Sequence, residues 1–289
     1  MTLSGKSRIA GILGWPVSHS LSPRVHGFWL REHGIDGAYI PLPVDPKNFA
    51  VAVRALPQLG FRGANVTVPH KEAAFRAVDV VDPMAERLGT VNTIVVTETG
   101  KIEGRSTDGY GFMENLYAAE TGWRANSGAA MVLGAGGAAR AVVAALLEAG
   151  VNEVRVSNRT CARAEAIASE FAHMAAGEIT VVPWEACAVG LENAALLVNT
   201  TTLGMIGHPA LYLPLGTLPL SATVMDIVYT PLETELLAAA RARGNPVVDG
   251  LGMLLHQARA GFAAWFGVEP QVTADLRRFV LDDLEGPAA

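Results

Sequence analysis

Two spacings of hydrophobic residues alternate along this chain. Short apolar runs bounded by glycine, proline or small polar residues read as strands, and stretches with apolar residues every three or four positions read as helices. In the first third the pattern predicts strands at 8–13, 38–44 and 64–68, with helices at 22–32, 46–55 and 71–77. Residues 91–97 and 101–105, separated by Glu-Thr-Gly, predict a hairpin at the edge of the same sheet. Alternation of this kind implies an α/β fold, a parallel or mixed sheet covered on both faces.

A helical pattern over 109–121 leads into a second set: strand 129–133, helix 138–147, strand 153–157, helix 162–174, strands 179–182, 195–198 and 223–227, helix 232–242 and strand 246–248. Two more helical patterns, 253–266 and 273–284, exceed what a dinucleotide-binding fold needs and are expected to return and brace the first domain. The predicted organisation is therefore a first domain over 1–108, an inserted Rossmann-like domain over 109–249, and returning helices over 250–289. Short joints near Asp108 and Gly250 would leave a cleft between the domains that can close.

Where strand 129–133 meets helix 138–147 the chain reads GAGGAA, Gly134–Ala139. A tight glycine turn between strand and helix lets a dinucleotide pyrophosphate rest on bare N–H groups and the positive end of the helix dipole. The next strand ends in Asn158-Arg159-Thr160, without the acid that would bond the ribose 2′-hydroxyl of NAD. Arginine there can neutralise a 2′-phosphate, so the expected cofactor is NADP.

Bulk properties narrow the rest. Half of the 289 residues are hydrophobic, 17% are charged and the net charge is −6, so a large core is expected. No Lys/Arg cluster stands out, which argues against nucleic acid or an anionic membrane as partner. Cys161 and Cys187 lack CxxC spacing and are expected to be reduced, packed thiols. His19, His26, His70, His173, His208 and His256 have no metal-ligand spacing and read as surface or satisfied core groups; no metal is expected. Residues 193–225 carry no charge but are broken by Pro209, Pro214, Pro219 and a Thr200–Thr202 triplet, so they read as strand and loop. No signal peptide is recognised, and a cytoplasmic protein is expected.

Four polar stretches stand at predicted strand ends. In Gly14–Pro23 the hydroxyls of Ser20 and Ser22 could hold a carboxylate, or Ser22 could simply cap the next helix ahead of Pro23. In Gly63–Lys71, Thr67 and Lys71 could face a cleft. Thr90–Thr93 and Arg105–Gly111 follow, and Asp108 could cap a helix beginning at Gly109.

Read in order, GWPVSHSLSP, NVTVPHK, VNT, STDGYG, GAGGAA, NRT, NTTTLGM, DIVYTPLET and DGLGMLLHQ closely resemble the shikimate dehydrogenase family over nearly the whole chain. The resemblance implies reversible hydride transfer between NADPH and the C3 carbonyl of 3-dehydroshikimate. It implies that Ser20 and Ser22, with Tyr229, bind the substrate carboxylate. Thr67, Lys71, Asn92, Asp108 and Gln257 would contact the ring hydroxyls, with Lys71 and Asp108 as the catalytic pair. Gly134, Gly136, Gly137 and Ala138 would cradle the pyrophosphate. Asn158, Arg159, Thr160 and Arg163 would hold the 2′-phosphate, and Met205, Gly250 and Met253 would line the nicotinamide pocket. Such proteins are monomers or homodimers. Ser106, Gly27 and Thr200-Thr201-Thr202 depart from the usual pattern without removing a catalytic group. A quinate/shikimate or aminoshikimate dehydrogenase, and a non-catalytic NADPH-sensing protein, are the rival readings.

Overall fold

A computed structural model describes residues 2–172 and 177–284. The chain divides into two compact units, one made of residues up to Thr107 together with those from Leu254 on, the other of Asp108–Met253.

The first unit begins β1 (Arg8–Gly14), α1 (Ser22–Glu32), β2 (Gly37–Pro43). The helix expected over 46–55 opens as a 3-10 turn, Pro46–Asn48, before becoming α2 (Phe49–Ala55), because the Asp45 carboxylate accepts from Lys47 N and tightens the entry. Next come β3 (Phe61–Val66), α3 (Lys71–Ala77), β4 (Val80–Val81), α4 (Pro83–Leu88), β5 (Thr93–Val96) and β6 (Ile102–Arg105). β4 and α4 were not expected from periodicity. They are short, yet α4 carries clear end signals: the Asp82 side chain accepts from Ala85 N, Pro83 follows it, and Gly89 at φ 61° closes the helix.

The first sheet runs β2-β1-β3-β5-β6-β4. β1 is parallel to β2 and β3, while β5 is antiparallel to β3 and β6. The hairpin therefore sits one strand inside the edge, which β4 occupies by pairing with β6. Leu13, Phe49, Val53, Val66 and Ile94 form one buried cluster against this sheet. A second, aromatic cluster gathers Trp29, Tyr39, Phe262 and Trp265.

The second unit holds α5 (Asp108–Ala118), β7 (Ala129–Leu133), α6 (Gly137–Glu148), β8 (Glu153–Ser157), α7 (Cys161–Phe171), β9 (Glu178–Val181), a 3-10 turn and short α8 (Cys187–Gly190), β10 (Ala194–Asn199), β11 (Thr223–Asp226), α9 (Glu235–Arg243) and β12 (Val247–Val248). The helix expected over 162–174 ends at Phe171, and His173 and Met174 lie outside the described residues. α9 starts three residues later than its apolar pattern, since Thr234 accepts from Leu237 N and acts as its cap. Residues 200–222 form neither helix nor strand, as the proline-broken, charge-free stretch implied. All its strands are parallel, in the order β12-β11-β10-β7-β8-β9, a Rossmann-type sheet whose order reverses between β10 and β7.

The chain closes with α10 (Leu251–Phe266) and α11 (Ala274–Leu284). In the first unit Trp29 Nε1 donates to Gln271 O (3.0 Å) and the Arg24 guanidinium lies 4.0 Å from the Phe279 ring centroid. Among the described residues no helix is long and apolar enough to cross a membrane. Neither cysteine is in a disulfide; Cys187 is buried with Sγ 3.1 Å from Ser157 Oγ, whereas Cys161 is exposed and not packed as expected.

Candidate functional site

In the first unit the candidate residues gather at one end of the strands of the sheet. β1, β3 and β6 end there, and antiparallel β5 begins there, so the loops carrying Ser20, Thr67, Asn92 and Thr107 are neighbours. Trp15 N donates to Val68 O and Thr67 N to Leu13 O, which fastens the two loops side by side. Val91 N donates to Lys71 O (3.0 Å), setting the start of α3 against the segment that carries Asn92. Lys71 is the first residue of α3.

Asn92 is buried and its amide joins three segments of the first unit. Oδ1 accepts from Thr107 N (2.9 Å), while Nδ2 donates to Thr107 Oγ1 and to Gln257 Oε1, each at 3.1 Å. The backbone donor at Thr107 fixes which way the amide faces. Gln257 thus meets Asn92 from 165 positions away. Behind them, Asn65 Nδ2 donates to Thr93 Oγ1 (3.1 Å) and Asn92 O (3.3 Å), and the Tyr39 hydroxyl donates to Asn65 Oδ1 (2.6 Å). Asn65, Thr93, Thr107 and Tyr39 were missed by sequence reasoning. Asn65, Thr93 and Thr107 lie inside the motifs NVTVPHK, VNT and STDGYG, so their position was a signal; Tyr39 gave none.

Ser22 is not the cap of α1. Leu21 occupies that position without a side-chain bond, and Ser22 is the first helical residue, buried, with its N–H 3.3 Å from Ser20 Oγ. Its side chain lies near the Tyr39 phenol, whose pKa burial drives well above the usual value.

His26 corrects the expectation of a satisfied core group. It is wholly buried, stacked 4.0 Å from Tyr39, and neither ring nitrogen has a hydrogen-bond partner. Burial lowers its pKa from 6.5 to about 3, and the nearby Asn65 side chain opposes this only in part.

In the second unit, Asp108 is the first residue of α5 itself and is buried. The remaining candidates follow the carboxyl ends of parallel strands, where open α/β sheets bind ligands. Gly134 follows β7 at φ 112°, and a Cβ on it would stand 2.6 Å from Thr200 Oγ1. Only glycine accepts both that conformation and that closeness. Gly136 is the cap residue of α6 and Gly137 its first residue; no side chain caps the helix, and added Cβ atoms at either glycine would point into open space. Ala138 is the next residue of the same first turn. These uncapped N–H groups with clear space before them fit a pyrophosphate.

Asn158 Nδ2 donates to Thr160 O (2.9 Å), shaping the turn into α7, which also lacks a side-chain cap. Arg159 and Arg163 are exposed, and among the described residues no acidic side chain pairs with either. Two guanidiniums beside an uncapped helix start fit a phosphate dianion. Met205 is half-buried in the loop after β10, and Met253 is buried in α10. Gly250 lies against the Ile227 carbonyl with no room for a Cβ, so close packing alone accounts for glycine there. Tyr229 follows β11; burial raises its phenol pKa, which keeps it a hydrogen-bond donor.

A glycine-cradled helix start, a basic turn where NAD-specific folds carry an acid, and a lysine at the polar end of a sheet agree with the family comparisons. Models described as "Shikimate dehydrogenase substrate binding domain", "Shikimate / quinate 5-dehydrogenase" and "Shikimate 5'-dehydrogenase C-terminal domain" match residues 12–94, 117–203 and 250–277. A shikimate dehydrogenase (NADP(+)) of Paramagnetospirillum magneticum is 61% identical over 279 residues, covering 96% of this chain and 100% of its own length. This chain belongs to the shikimate dehydrogenase family. Among solved structures, a shikimate dehydrogenase in complex with NADP+ superposes with a TM-score of 0.89 at 31% identity, covering 98% of each chain. The enzyme of Thermus thermophilus in complex with NADP(H) and shikimate gives 0.84 at 39% identity, covering 95% of this chain and 98% of that one.

Proposed function

We infer that the protein catalyses the NADP-dependent, reversible reduction of 3-dehydroshikimate to shikimate, a step of chorismate and aromatic amino acid biosynthesis. The observation that supports this reading is the polar end of the first sheet, where Val91 N ties the start of α3, at Lys71, to the segment carrying Asn92, and Asn92 bonds Gln257. A polyhydroxylated ring needs several neutral hydrogen-bond partners and one cation, and this end supplies both.

When bound, NADPH supplies the hydride delivered to C3. It would be held by Gly134, Gly136, Gly137 and Ala138 at its pyrophosphate and by Asn158, Arg159, Thr160 and Arg163 at its 2′-phosphate. Met205, Gly250 and Met253 would bound the nicotinamide. Lys71 Nζ donates a proton to the C3 oxygen as alkoxide character develops, and its positive charge stabilises that oxygen. Asp108 orients the lysine and accepts from a neighbouring ring hydroxyl. Asn92 and Gln257, with Thr67, bind the remaining hydroxyls, while Ser20, Ser22 and Tyr229 hold the carboxylate. The proposed division is a substrate-binding and catalytic domain over 1–108, an NADP-binding domain over 109–249 that also lends Tyr229 to the substrate, and returning helices over 250–289 that lend Gln257 to the substrate and Gly250 and Met253 to the cofactor. We place the enzyme in the cytoplasm, as a monomer or homodimer.

The test is formation of NADPH by the purified protein from shikimate and NADP. Wild type should turn over, and Lys71→Ala should lose about a hundredfold or more in kcat with KM changed far less. Unchanged kcat in that variant would remove Lys71 from the chemistry; no turnover by wild type would leave the protein a cofactor-binding module.

A further inference from the structure

At the carboxyl ends of β10 and β11 lies a buried polar cluster that none of the assigned roles uses. Asn199, Asp226 and Thr234 are all at or below 1% exposed. Asp226 Oδ1 accepts from Asn199 Nδ2 and from Val228 N, both at 3.0 Å, and Oδ2 accepts from Thr234 Oγ1 at 2.8 Å. Asn199 spends its remaining capacity on the loop that follows it. Its Oδ1 accepts from Thr201 N (3.0 Å) and Thr201 Oγ1 (2.7 Å), and its Nδ2 also donates to Leu203 O (3.1 Å).

The consequence is one anchor under two loops. The Asn199 side shapes 200–204, immediately before Met205. The Asp226 side fixes Val228 and Thr234, which bracket Tyr229. The loops also meet directly, since Ile206 N donates to Thr230 O (2.9 Å). A buried carboxylate is costly unless several donors face it, and a merely structural role could be filled by an apolar side chain. Here each of the donors belongs to a segment carrying a candidate ligand contact.

We propose that Asp226 is a positioning residue that sets, through Asn199, Val228 and Thr234, both the loop bearing Met205 and the loop bearing Tyr229. It touches neither substrate nor cofactor. This rests on the roles proposed above for Met205 at the nicotinamide and Tyr229 at the carboxylate. Asp226→Ala removes the anchor from both loops and should raise KM for shikimate and for NADP together, each at least about fivefold. Asp226→Asn should return both to within about twofold, because its Oδ1 can accept from Asn199 and Val228 while its Nδ2 donates to Thr234 Oγ1.

A structural role is separated by Val224→Ala, a buried truncation in the same strand, which should lower the melting temperature and leave both KM values within about twofold. Should Asp226→Ala not fold, Thr234→Val removes one of the bonds at nearly constant volume and should raise the shikimate KM more than the NADP KM. The inference is overturned if Asp226→Ala shifts only one KM or neither, or if Val224→Ala shifts both as far; with Asp226→Ala unfolded, an unmoved shikimate KM in Thr234→Val overturns it. Tyr229→Phe and Met205→Ala run alongside. If they shift the shikimate and NADP KM respectively while Asp226→Ala does not, the anchor alone is wrong. If they shift neither, the roles of the two loops fall, and the anchor with them.

Discussion

His26 offers a test of buried polarity that is independent of catalysis. Its imidazole is fully enclosed between Trp29, Tyr39, Phe262 and Trp265, with neither nitrogen hydrogen-bonded. The folded protein holds the ring neutral down to about pH 3, whereas the unfolded chain protonates it near 6.5. The unfolded state therefore binds the extra proton as pH falls, and stability is lost below the unfolded value. The group's contribution is intact above about pH 6.5 and drains away as pH falls toward about 3. From RT ln(1 + 10^(6.5 − pH)), the loss between about pH 7.5 and about pH 5.5 is roughly 1.4 kcal/mol. His26→Phe keeps the ring stack and removes the proton site, so its overall stability can move either way, overpacking against two unsatisfied nitrogens relieved. Its pH dependence is the diagnostic. Urea unfolding followed by tryptophan fluorescence, with both proteins at both pH values, should give a double difference of about 1.4 kcal/mol, or a difference of about 2 °C in the pH-induced shift of Tm. Titrations shared by the two proteins cancel. Equal losses in wild type and variant would refute the assignment of a neutral, buried, unpaired His26.

Two further perturbations probe the nucleotide half. Arg159→Ala should raise the KM for NADP about tenfold and leave that for NAD nearly unchanged, since NAD has no 2′-phosphate to lose; an intact preference in initial-rate assays would mean another group reads it. Gly134→Ala combines a φ of 112° with a contact at 2.6 Å to Thr200 Oγ1, so it should cost at least about 2 kcal/mol in chemical denaturation and weaken NADP binding in titration calorimetry. Wild-type stability in that variant would show that the turn relaxes freely.

Much of this architecture is local and therefore legible. The strand at 129–133 and the helix at Ser22–Glu32 emerge at the expected residues because apolar spacing and end signals act over a few positions. β4, α4 and α8 are too short for a period to register. The hairpin was recognised, but its place inside the sheet depended on β4 pairing with β6, a contact that no local signal announces. The candidate lysine, serines and glycines stood out through the order of their motifs.

By itself the sequence determined the two α/β units, the glycine turn at Gly134–Gly137 and the basic turn at Arg159, because each is written in contiguous residues with a short-range physical cause. The tertiary structure decided which polar groups became partners. Tyr39 reaches Asn65, Asn92 reaches Gln257 and Asp226 binds Asn199 only because segments far apart in the chain pack together. It also decided that the ring nitrogens of His26 are buried without a hydrogen bond. Inside a protein a polar side chain takes its meaning from what surrounds it, and those surroundings come from distant segments whose pairing no local pattern encodes.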